Sequence, residues 1–164
     1  MAIRIVEKMP DGTLHIHTPA YNDLARTVNY PGLTDADLVQ VVIARHQITD
    51  YFLIEDSAPT MDAFLRDRDF RDAWEAPTDE LAVNMTKARV IHVDRIREVR
   101  NAELAKLDIP WMKAVEAGDT SSQATIATEK QTLRDIPATF DITTDVDTPE
   151  KLKAKWPTEL PARE

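Results

Sequence analysis

From Met85 to Leu107 the chain contains neither proline nor glycine. At about 100° per residue, Met85, Ala88, Ile91, Ile96, Val99, Ala102 and Leu107 fall within about half the circumference of a helix. This run predicts the longest helix of the protein, with Asn84 as its N-cap and Asp108-Ile109-Pro110 interrupting its end. Val90, Val93 and Leu104 lie off the centre of the arc, so more than one face is expected to be covered. Pro110 fits a kink or the first turn of a following helix over 110–117, which Gly118 ends. A further helix is expected over about 122–134, carrying Ile126 and Leu133 and stopping before Pro137. Asp141 to Asp147 reads as a polar loop. Thr148-Pro149-Glu150 is a helix start, and Leu152 and Trp156 would share a face of the short helix that Pro157 stops. Residues 158–164 read as a tail.

The beginning of the chain has the other periodicity. AIRIVEK (2–8) and TLHIHT (13–18) read as two strands joined by Met9-Pro10-Asp11-Gly12, whose Pro and Asp-Gly are turn chemistry. Leu14 and Ile16 alternate with Thr13, His15 and His17, which predicts a buried apolar face and outward histidines. A short helix is expected over Tyr21–Val28, closed by Asn29-Tyr30-Pro31-Gly32. A second is expected over 35–45, capped by Thr34, with Asp35 and Asp37 in its first turn and Leu38, Val41 and Val42 inward. YFLIE (51–55) reads as a strand, and Leu81–Val83 as an edge strand. Pro59 to Pro77 has weaker signals. The expectation is an α+β fold, with a small hairpin-based α/β lobe over 1–76 and a helical region with a C-terminal tail over 77–164. The sheet would carry helices on one face.

Composition narrows the functions such a fold could host. Only three glycines occur (Gly12, Gly32 and Gly118), each placed as punctuation, which leaves none for a phosphate-cradling loop. Without cysteine there is no disulfide framework, thiolate nucleophile or zinc ribbon. A net charge of −9 argues against broad binding to nucleic acid, which needs a positive footprint. Met1–Lys8 mixes charges into its apolar run, unlike a signal peptide, and no apolar stretch approaches the ~18 residues of a membrane span. No catalytic constellation stands out: Gly-x-Ser-x-Gly, His-Glu-x-x-His and Walker-type loops are missing. Neither a cofactor nor a catalytic residue is nominated.

Two sets of residues admit a functional reading beside a structural one. His15 and His17, two apart on a strand, would point the same way and share a metal, with a symmetric trimer completing the shell. The alternative is a solvent-facing polar strand, with His46 and His92 on helices elsewhere. Phe70 and Trp74 would serve as anchors of an exposed protein interface or as core packing. The long helix has six basic residues against Asp94, Glu98 and Glu103, a composition that a solvated face also needs.

From about Leu65 onward the chain is similar to a known family. Asp67-Arg68-Asp69-Phe70-Arg71-Asp72-Ala73-Trp74 resembles a D-R-x-F-R-x-A-W signature in short proteins of tailed bacteriophages. As in that family, a variable turn follows, then a helix with Lys87-Ala88-Arg89 near its start and Leu107-Asp108 at its end. Lys130-Gln131-x-Leu133-Arg134-Asp135-Ile136-Pro137 and Trp156-Pro157 also resemble the C-terminal regions of tail-fibre assembly and related tail proteins. The similarity covers residues 65–157. It implies a non-enzymatic protein that assists or caps tail fibres in the host cytoplasm, with a fibre or other tail protein as partner. A permanent, oligomeric subunit of the virion tail is the alternative, and a small enzyme or nucleic-acid module a second one.

Overall fold

A computed structural model describes residues 2–19 and 30–163 and shows an α+β protein. The expected helix over 21–28 lies outside the described residues. The chain divides into two compact units, Met1–Asn84 and Met85–Glu164.

The first unit is built on strands β1 (Ile3–Lys8), β2 (Leu14–His17) and β3 (Tyr51–Glu55). They form an antiparallel sheet in the order β2-β1-β3, with Val6 opposite Ile16 on one side and Phe52 on the other. The β1–β2 turn closes as expected: Met9 N–H donates to Thr13 O and Gly12 N–H to Met9 O, both at 2.9 Å, with Gly12 at φ 82°. Helix α1 (Asp35–His46) starts in a capping box. Asp37 N–H donates to Thr34 Oγ1 at 3.2 Å, while Asp37 Oδ2 accepts from Thr34 N–H at 2.8 Å.

The sheet is covered on both faces, not on one. Adjacent residues of a strand face opposite ways, and both Ile5 and Val6 of β1 are fully buried. Ile5 packs with Val39 and Ile48 beneath α1, where Val39 and Ile43 carry the contact expected of Val41. Val6 and Phe52 pack with Met61, Phe64, Trp74 and Leu81. Met61 and Phe64 come from helix α2 (Pro59–Arg66), which starts on proline in a segment with weak sequence signals. After a 3-10 turn (Arg71–Ala73), β4 (Trp74–Glu75) pairs with β5 (Ala82–Val83). The lobe boundary expected after residue 76 falls inside this hairpin. Asn84 N–H donates to Ala73 O at 2.8 Å, and its side-chain amide donates to Glu75 at 2.7 Å.

The second unit is helical: α3 (Met85–Lys106), α4 (Asp108–Glu116), α5 (Thr120–Thr139) and α6 (Pro149–Ala154). Pro110 sits in the first turn of α4, where its missing N–H leaves no hydrogen bond unmade. Gly118, at φ 65°, turns the chain towards α5. Asp119 caps α5 by accepting from Ser122 N–H at 3.0 Å. Pro137 does not stop α5 as expected; it lies inside the helix, and Phe140 N–H still donates to Ile136 O at 2.9 Å. Thr148 caps α6, with Pro149 next as read from sequence. Trp156 lies beyond the end of α6, so it does not share a face of that helix with Leu152.

Nor do residues after 157 form a loose tail. Leu160 is buried in the cluster of Ile96, Leu133 and Ile136, and Trp156 Nε1 donates to Pro161 O at 2.8 Å. Among the described residues no helix is long and apolar enough to cross a membrane.

Candidate functional site

On β2 the two histidines do share a face, the same one as Ile5 and Glu7. That face is not the open one expected, because α1 packs over it. His15 stays exposed, whereas His17 is half-buried. The His17 Nε2 lies 2.8 Å from Glu7 Oε2, and its ring centroid lies 5.2 Å from that of His46 in the last turn of α1. His46 is therefore beside His17, not elsewhere as expected. The cause is the helix-over-sheet packing that also buries Ile5 against Val39. Among the described residues, no group of three or more His, Asp or Glu side chains is placed to hold a metal ion.

Phe70 and Trp74 are 1% and 9% exposed. Trp74 meets Phe64 edge to face, with centroids 4.8 Å apart. Phe70 and Trp74 are both buried, so neither is the exposed anchor of a protein interface, and Trp74 packs in the core of the first unit. The 3-10 turn Arg71–Ala73 lies between them, so they do not sit on one α-helix.

His92 is a residue that apolar periodicity overlooked. It is fully buried on α3, and its Nε2–H donates to the Lys155 carbonyl at 2.7 Å. Its ring meets Trp156 edge to face at 5.8 Å. This polar tie explains the docking of the C-terminal segment, since a buried imidazole requires a partner. Its spacing from Ala88 and Ile96, four residues either way, was the available signal.

The basic residues of α3 are largely occupied in structure. Arg89 donates to Val146 O at 2.8 Å, while Arg97 and Lys106 pair with Asp94 and Glu103 at 2.7 and 2.6 Å.

The surface that stands out lies on α4. Its inward side holds Trp111 and the buried Ala114, and Lys130 of α5 latches it, pairing with Asp108 at 2.7 Å and lying 5.6 Å from the Trp111 ring centre. Its other side presents Ile109, Met112 and Val115, which are 66%, 56% and 47% exposed. Spaced three apart, these side chains make one apolar stripe on a short helix. Single exposed apolar residues are ordinary, but three in register form a patch suited to a protein partner. No known protein family, curated protein or solved structure matches this chain.

Proposed function

We propose that this protein is a non-enzymatic bacteriophage tail-associated protein that assists or caps tail fibres by docking on them during assembly. The observation that carries the reading is the apolar stripe Ile109–Met112–Val115. It lies between Leu107-Asp108 and the Lys130–Pro137 segment, both of which take part in the resemblance to fibre assembly proteins. Growing fibres expose apolar surface and unpaired strand edges, and a partner that covers them suppresses aggregation. Such work needs surface and no chemistry. In keeping with that, His17 is engaged with Glu7 and His92 with a backbone carbonyl, both in structural contacts.

Co-expression with a tail-fibre protein of the same phage tests the reading. Soluble fibre yield should rise and the two proteins should co-purify; if neither happens, the reading fails. Counting copies in purified virions separates a transient assistant, which is absent, from a permanent subunit, which is abundant.

A further inference from the structure

The segment that carries the phage resemblance uses its side chains in two ways. Phe70, Ala73 and Trp74 are buried in the core, whereas Arg68 and Arg71 are exposed. Together with Arg4 of β1, these two arginines surround a cleft of about 130 Å³ that Ile16, Phe64 and Leu65 also line. Arg4 is already compensated: its guanidinium donates to Asp56 and, at 2.8 Å, to Thr18 Oγ1. The neighbouring Asp67 turns its carboxylate to the Asp69 N–H at 3.0 Å. Among the described residues, Arg68 and Arg71 have no ion-pair partner.

Other basic residues, Arg45 and Lys113 among them, also have none among the described residues, but Arg68 and Arg71 stand together at one apolar cleft. Arg66, close by, instead pairs with Asp62 at 2.6 Å. Two uncompensated guanidiniums at an apolar cleft favour an anion that brings apolar surface with it. Planar guanidinium forks match a carboxylate, whose two oxygens can each accept from them. At about 130 Å³ the cleft holds a side chain and falls below the roughly 300–1,000 Å³ of ordinary ligand pockets. A polyphosphate backbone would bring many charges against the field of a −9 protein with only two free arginines to offset them, whereas those two match a single carboxylate.

We propose that this cleft recognises a Glu or Asp side chain within an acidic, apolar segment of a protein partner. Arg68 and Arg71 grip the carboxylate, and the flanking apolar residue lies against Ile16, Phe64 and Leu65. The proposal rests on the reading that this protein works by binding another protein, and it supplies the chemistry of one contact.

Fluorescence anisotropy on the full chain tests it. The probes are a labelled Leu-Glu-Phe-Glu-Leu peptide, its Gln-for-Glu counterpart, and a labelled oligothymidylate. The acidic peptide should bind saturably, and about tenfold more tightly than the Gln peptide. The double variant Arg68→Gln/Arg71→Gln should lose about the same factor, while Arg66→Gln changes nothing. Equal binding of the two peptides, no binding at all, an unaffected double variant, or preference for the oligonucleotide each overturns the proposal. The tail reading fails separately. Fibre co-purification that persists without acidic-peptide binding removes only the cleft. Arginine-dependent peptide binding without fibre association keeps the cleft and removes the tail assignment.

Discussion

The sheet unit and the helical unit treat their large side chains differently. In the first, Met61, Phe64 and Trp74 are all buried, packed with Val6 of β1 and Phe52 of β3. In the second, α3 buries only Ala88, His92 and Ile96 along its length, and α4 leaves Ile109, Met112 and Val115 outside. A three-stranded sheet is a thin layer that must be covered to be stable, so apolar residues nearby are recruited to it. A helix meets its backbone hydrogen bonds internally and can keep one face apolar and unpartnered. The difference teaches where to look for function: the aromatics packed on the sheet hold the fold, and the exposed aliphatics of α4 are available to a partner.

The sharpest way to break this contrast is to cut into the first core. Phe64→Ala should lose about 3–5 kcal/mol in urea unfolding, with faster amide exchange across β1 and β3. Leu152→Ala, at a fully buried position of α6, should lose about 3 kcal/mol, from the same transfer and cavity terms acting on a smaller side chain. A larger loss at Leu152 than at Phe64 would reverse this order. Thr34→Ala removes the α1 cap and should lose about 1 kcal/mol, most directly visible in exchange rates of the first α1 amides.

The smallest effect is that of acid. Hydrogen bonds from Thr34 hold the Asp37 carboxyl below its ordinary value of 3.8, and those from Ser122 do the same for Asp119. Asp141 is lowered further, by Thr144 first and by Thr143. For a lowered folded value, the unfolded chain binds protons first as pH falls. The contribution is therefore complete above the ordinary value and is lost as pH drops through the folded values. Unfolding midpoints should stay level from neutrality towards about pH 5 and decline below about pH 4. A rise in that range would contradict these capping contacts.

Local chemistry was legible wherever one residue type dictates a conformation. Gly12 in the β1–β2 turn, Thr34 before α1, Gly118 after α4 and Thr148-Pro149 before α6 all act as their types suggest. The second cover on the sheet was written in the adjacent Ile5 and Val6, yet strand alternation taken from β2 alone hid it. Pro137 reads as a terminator because an interior proline removes a hydrogen bond, yet α5 runs on through it, with Leu133 and Ile136 packed in the core. His92 escaped notice because apolar periodicity ignores a polar residue, although its place on the buried stripe was regular. The α4 stripe was the least legible. Ile109, Met112 and Val115 look like core residues in sequence, and only the docking of Trp111 and Ala114 on the opposite side decides that they face out.

The most direct measurement compares the native chain with Ile109→Ser/Met112→Ser/Val115→Ser in co-purification with a tail-fibre protein, the proposed partner. The three side chains are exposed, so urea unfolding of the variant should stay within about 0.5 kcal/mol per site of the native chain. The account predicts that this stable variant no longer co-purifies with the fibre and no longer raises its soluble yield. Undiminished recovery of the complex by the variant would contradict it.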